Sequence, residues 1–228
     1  MATDLQPFAD DLWTVDRPQR FWGIECGTRT TVVRLSSGGL FVHCPAALDP
    51  GLGREVDALG AVEAIVAPSL FHHLYVGEWM RAYPSAQVWC CPGLERKRSD
   101  LAWTGVLGDN PVDAWKADLG QASLTARFEN EIVFFHEKSR TLVCADALLN
   151  LSRHPSRLTR LTAFVMGNSA PGKGWPERIA VRDYRLARRQ VDRIAEWDID
   201  RITLAHGEQV HRDGRAALLE AYGWLPSP

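Results

Sequence analysis

The stretch VEAIVAPSLFHHLYVGEW, residues 62–79, decides how the chain is read. It opens with an apolar, β-branched run of strand length ended by Pro68, and closes with a helical pattern from Val76 onward. Between the two, His72 and His73 lie just past the C-terminal end of a buried strand, with Glu78 one turn into the helix. Strand ends of this kind are where α/β folds place their chemistry.

Upstream, TTVVRLSSGGLFVHCP (30–45) reads as two antiparallel strands joined at Ser36-Ser37-Gly38-Gly39. PGLGREVDALG (50–60) reads as a short helix, with Pro50 suited to its first turn and Gly60 to its C-cap. Downstream, VGEWMRAYP is a helix stopped by Pro84, and AQVWCCP is the next strand. Residues 92–120, rich in Gly, Asp, Pro and Trp, read as an irregular excursion with at most one short helix. EIVFFHEKSRTLVCADALLNL (131–151) reads as a hairpin whose second strand ends near Asp146. TAFVM (162–166) looks strand-like, and Tyr184, Ala187, Val191 and Ile194 mark an amphipathic helix within 177–197. The strand DRITLA then ends at His206-Gly207, and Asp213 is expected to cap the last helix, GRAALLEAYGWL.

At 228 residues and 46% apolar, the chain can bury one substantial core, and no repeat or linker divides it. One domain over residues 1–228 is expected. The 26 Lys and Arg against 28 Asp and Glu leave a formal charge of −2, which provides no global field for nucleic acid or an anionic membrane. Neither is an expected partner. The start, MATDLQPFADDLW, lacks the basic and apolar segments of a secretory signal, and no run approaches the ~20 apolar residues of a membrane span. A cytoplasmic location is expected. Of the five cysteines, four sit in apolar runs (FVHC, VWCC, TLVC), so reduced, buried thiols are expected and not a Cys zinc site.

His72 and His73, Asp146, and His206 each follow a different apolar strand. Neutral imidazoles with a carboxylate suit a borderline divalent metal, and three strand ends can supply one site. A histidine at a strand end also commonly caps a carbonyl or packs into a core, so only their convergence carries weight.

The order of strand, HH loop and helix, then TLVCAD (141–146), then LAHG (204–207), resembles the metallo-β-lactamase superfamily. Members carry a strand-end HxHxDH, a later Asp that bridges two metals, and a final His. The phrases GTRTTVVRLSSGGLFVHCP, APSLFHHLYVGEWMRAYPSAQVWCCPGLERKRSDL and EIVFFHEKSRTLVCADALLNL are similar to one branch of it, a domain of unknown function. The resemblance implies an α/β (α+β) fold, a four-layer αββα sandwich of two mixed β-sheets.

It also implies a site, and here the sequence departs from the pattern. The HxHxDH loop is reduced to His72 and His73, with Glu78 following in the helix. The region that carries an upstream metal-binding His, residues 126–130, has none, and His136 lies across the hairpin turn. Asp146, His206 and Gly207 match. The ligands retained are too few for two metals. They suffice for one, whether zinc, iron or manganese: His72, Asp146 and His206, with His73 and Glu78 as weaker candidates. The expected roles are Asp146 as base and His73 as proton donor, in a mononuclear hydrolase acting on an unknown small-molecule ester, thioester, amide or phosphoester. The alternative is a metal-free, non-catalytic relative that uses the cleft to bind a ligand.

Two further motifs bear on function. GNSAPGKG (167–174) fits a phosphate-loop pattern, but Gly174 stands where a Ser or Thr should bind Mg²⁺, and Trp175-Pro176 is expected to interrupt the helix that would follow. It reads as a loop at the site mouth, with Trp103, Trp115 and Trp175 as pocket-lining candidates. The basic segment SRHPSRLTR (152–160) and the Arg-rich helix face read mainly as solvated surface.

Overall fold

A computed structural model describes residues 4–125 and 130–226. In chain order, β1 (Gln6–Ala9) and β2 (Leu12–Arg17) are followed by a small ribbon of β3 (Arg20–Phe21) and β4 (Ile24–Glu25), then β5 (Thr28–Arg34) and β6 (Leu40–His43). Next come α1 (Pro50–Leu59), β7 (Val62–Ala67), α2 (Val76–Ala82), β8 (Gln87–Cys90), α3 (Leu94–Lys97) and β9 (Gly105–Val106). The second half holds β10 (Leu119–Thr125), β11 (Asn130–His136), β12 (Thr141–Val143), α4 (Arg157–Met166), α5 (Trp175–Ala180), α6 (Tyr184–Ile194), β13 (Arg201–Thr203) and α7 (Gly214–Ala221).

One sheet has the order β1-β2-β5-β6-β7-β8-β9, antiparallel as far as β6 and parallel from there. The other, β10-β11-β12-β13, is antiparallel except for its β12–β13 pair. Alternation along β11 shows how they stack. Ile132 and Phe134 join a core with Phe41, Ile65, Trp115 and the α1 and α2 residues Leu52, Val56, Val76 and Trp79. Val133 and Phe135 turn the other way, onto Ala187, Val191 and Ile194 of α6 and Leu218 of α7. Helices thus flank two mixed sheets, as expected.

The local reasons are visible at α1. The Asp49 carboxylate accepts hydrogen bonds from the Gly51 and Leu52 amides at 2.7 and 3.0 Å, Pro50 occupies the first turn, and Gly60 ends the helix.

Several expectations need correction. TAFVM is not strand-like but the end of α4: Ser156 caps the Thr159 amide at 3.3 Å, and Gly167 closes the helix in the left-handed region (φ 80°). The caps outweigh the β-branched content. The helix expected within 177–197 is two, α5 and α6, because residues 181 and 183 are extended and Asp183 caps a new start at Tyr184, accepting the Leu186 amide at 2.8 Å. Trp175-Pro176 does not interrupt a helix but opens α5, where a proline costs no hydrogen bond. Asp213 stands at the head of α7, yet it adopts φ 56° and makes no side-chain cap. Trp115 lines no pocket: it is buried against Phe41, Trp89 and Phe134. The hairpin's second strand stops at Val143, so Asp146 sits in the loop beyond it.

Candidate metal centre

The β7 strand delivers the chain to Ser69, whose hydroxyl accepts hydrogen bonds from the amides of Phe71 and His72 at 3.3 and 3.4 Å. This tight turn points His72 inward. Its Nε2 lies 3.1 Å from Asp146 Oδ1, and its Nδ1 lies 2.7 Å from Cys44 Sγ. Cys44 follows β6 in a left-handed conformation (φ 56°), an uncommon posture for a residue with a β-carbon.

Asp146 is held from below. Glu131 on β11 accepts the amides of Ala145 and Asp146 with its two carboxylate oxygens, at 2.6 and 2.9 Å. The Ser69 hydroxyl donates to Asp146 Oδ2 at 3.3 Å.

His206 follows β13, in the same sheet as the strand before Asp146 and opposite the sheet that supplies His72. Its Nδ1 donates to the Gly27 carbonyl at 2.7 Å, which turns Nε2 to within 3.3 Å of Asp146 Oδ1. Gly207 makes that placement possible: at φ +92° it passes so close to Asn150 that a β-carbon would stand 1.8 Å from the carbonyl oxygen. One ligand atom each from His72, Asp146 and His206 lies within 4.8 Å of the others.

Charge follows this geometry. Burial opposes protonation of His72 and His206, but the Asp146 carboxylate and, respectively, the Cys44 and Cys26 thiols outweigh it, so His72 is raised well above the ordinary range and His206 to about 9. Burial would raise Asp146; the two imidazoles overcome that and hold it well below the usual carboxylate range. Glu131 is pushed up to about 7 by burial and by Asp146, against the opposing charge of the buried Lys173. His43, at the end of β6, is driven down to about 3 by burial and by the charge on His72.

The remaining candidates lie apart. His73 turns to Arg98, whose Nη1 is 3.1 Å from its Nδ1 and also donates to its carbonyl at 3.2 Å. Burial and the charges of Lys97 and Arg98 lower it to about 4. Glu78 accepts the Leu48 amide at 3.2 Å. His136 is buried on Ser139 Oγ at 2.7 Å. Residues 126–129, where the upstream histidine was sought, lie outside the described residues. All five cysteines are unpaired, and Cys90 and Cys91 are pushed up to about 12, burial being the main cause.

Sequence reading missed Cys44, Glu131, Ser69 and Gly27. Glu131 alone left a signal, a carboxylate opening an otherwise apolar strand, EIVFF.

Residues 9–96 match the family model described as a domain of unknown function (DUF4336). No curated protein sequence matches the chain. Among solved structures, a metallo-β-lactamase from Pontibacter korlensis is similar over 98% of this chain and 100% of its own, with TM-score 0.65 and 10% identity. The chain has the metallo-β-lactamase fold. The FIM-1 metallo-β-lactamase of Pseudomonas aeruginosa, in a mono-zinc form, aligns over 96% of this chain and 94% of its own at 11% identity and TM-score 0.63. The metal-soaked Flv1 flavodiiron core of Synechocystis aligns over 98% of this chain and 61% of its own, at 11% identity and TM-score 0.65. Within the metallo-β-lactamase fold, then, this chain brings two imidazoles and one carboxylate together at its strand ends.

Proposed function

We propose that the chain is a hydrolase built around one divalent metal held by His72, Asp146 and His206. The observation that carries this reading is the approach of their three ligand atoms to within 4.8 Å of one another. The donor set fits such an ion. Both histidines are engaged at Nδ1, by Cys44 and by the Gly27 carbonyl, which leaves Nε2 facing Asp146 in each case. Two nitrogens and an oxygen suit zinc, iron or manganese, and three protein ligands leave a position open. The mono-zinc form of FIM-1 is a one-metal instance within the fold. When bound, the ion would supply Lewis-acid polarisation and a reactive water at neutral pH.

The chain's own groups take the other roles. Asp146 would accept the proton of the attacking water at Oδ2, the oxygen that Ser69 orients. Glu131 would keep the Asp146 loop in place through the two amides it holds. His73 is not assigned the role of acid: lowered to about 4, its ring is neutral at pH 7, and with Nδ1 facing Arg98 it serves to tie the loop to that guanidinium. The substrate would be a small ester, thioester, amide or phosphoester. One domain over residues 1–228 is part of the proposal, since the donors come from both sheets. So is a cytoplasmic setting, which suits five unpaired cysteines.

The test is metal content by plasma mass spectrometry on protein purified without chelator or metal-affinity resin, beside His206→Ala. About one zinc, iron or manganese per chain, lost in the variant, supports the site and justifies an ester and phosphoester screen. No metal in the wild type, even after reconstitution, overturns it.

A further inference from the structure

The helix α4 is built inside out. An ordinary surface helix turns its large apolar residues inward. This one buries Thr159 and Ala163, while Leu158, Leu161, Phe164 and Val165 remain 58%, 61%, 74% and 63% exposed. The exposed face continues beyond the helix. Trp175 donates its indole N–H to the Val165 carbonyl at 3.1 Å, which seats it at the end of α4, and Ile179 follows it, exposed, on α5. On the other side, Thr159 Oγ1 donates to the Glu25 carbonyl at 2.7 Å, joining α4 to the β3–β4 ribbon, where Trp22 is 90% exposed.

Charge is segregated along the segment that carries α4 and α5, the ribbon holding one ion pair of its own, Arg20 with Glu25 at 3.5 Å. From residue 153 to 182 the chain has Arg153, Arg157, Arg160, Arg178 and Arg182, with Glu177 as the sole acid, although the whole chain is slightly negative. Arg160 and Arg178 donate to the backbone carbonyls of His154, Pro155 and Lys173, which hold the guanidinium groups without neutralising them. Arg153 has Glu208 at 3.6 Å, with both side chains exposed.

We propose that α4, α5 and the ribbon form a face that docks on an anionic lipid bilayer. A contiguous apolar patch marks an interaction site. Apolar side chains flanked by arginines are the composition of segments that lie in the membrane interface. A second copy meeting this face symmetrically would set the same arginines against one another, which disfavours it. The apolar side chains also protrude, which suits a soft planar surface better than a groove-seeking peptide. No helix among the described residues is long and apolar enough to span a membrane, so the contact is peripheral. Docking there would bring the candidate metal centre toward the bilayer. Phe21 packs on Phe71, next to His72, and the Gly27 carbonyl beyond the ribbon holds His206.

The test is co-sedimentation of the full chain with vesicles of equal parts phosphatidylcholine and phosphatidylglycerol, and with vesicles of phosphatidylcholine alone. The expected result is binding about tenfold tighter to the anionic vesicles, weakened by added salt. Leu161→Glu with Phe164→Glu should abolish it, with unchanged circular dichroism. Arg157→Ser with Arg182→Ser, which leaves the apolar face intact, should weaken it severalfold. Equal binding to both vesicles, or none, overturns the proposal. So does a concentration-dependent dimer that Phe164→Glu dissociates, which would assign the face to a second copy.

Discussion

The inward and outward sides of the loop after β7 hold adjacent histidines in opposite circumstances. His72 faces Asp146 at 3.1 Å and Cys44 at 2.7 Å, whereas His73 faces the guanidinium of Arg98 at 3.1 Å. The first is raised well above the ordinary imidazole range; the second is lowered to about 4. Both are substantially buried, so burial alone cannot separate them. The sign of the neighbouring charge does, and it sets which imidazole can balance a carboxylate and which must stay neutral.

The largest expected effect comes from removing the charge that makes the inward side what it is. Asp146→Ala leaves two buried imidazoles without their counter-charge. The metal-free protein should then lose about 3 kcal/mol of unfolding free energy in urea at pH 7. Unchanged or increased stability would mean that the carboxylate is a buried burden, and the contrast between the two sides would fail.

A second experiment compares the groups behind the two rings. Cys44→Ala removes the sulfur from His72 Nδ1 without placing a β-branch at a left-handed position, and metal affinity measured by chelator competition should fall about 10- to 100-fold. Arg98→Ala, the matching change behind His73, should leave it within about twofold. Equal losses would place both histidines in the metal site.

The smallest effect is one of pH, and its signs differ on the two sides. His206, raised from 6.5 to about 9, contributes stability that is full below its unfolded value and is lost as pH rises through about 9. His73, lowered from 6.5 to about 4, contributes stability that is present above its unfolded value and is lost as pH falls toward about 4. Urea midpoints of metal-free protein should therefore fall toward both extremes. His73→Asn should make the acid side shallower, Asp146 and His43 carrying the rest of the fall, and a flattened alkaline side in that variant would show that the two rings share one network.

Much of the scaffold was legible because its signals are local. Pro50 and Gly60 bracket α1, and Ser36 to Gly39 join β5 to β6, as expected from residue type alone. The positions of His72 and His206 after their strands could be read from apolar runs. Where signals compete, local reading failed. In α4, the β-branched Thr162 and Val165 argued for a strand, while Ser156 and Gly167, residues away, fixed a helix. In α6, periodicity could not show that the chain breaks at Asp183. The partners that hold the site were the least legible. Cys44 and Gly27 meet their histidines only through the packing of distant strands, and nothing in FVHC distinguishes a core thiol from one that touches an imidazole.

The parallel pairing of β12 with β13 has a consequence for how the chain comes into being. Thr141 must wait for Arg201, and a crossover containing α4, α5 and α6 must be made before the two can pair. Contacts of such long sequence separation form slowly. A nascent chain that has left the ribosome as far as α6 already exposes His72 and Asp146, while the edge of β12 stays open and His206 has not yet emerged. Such an intermediate is exposed to edge-to-edge aggregation. Any ion that depends on all three residues would arrive after the last strand, as a seal on finished folding and not as a seed for it.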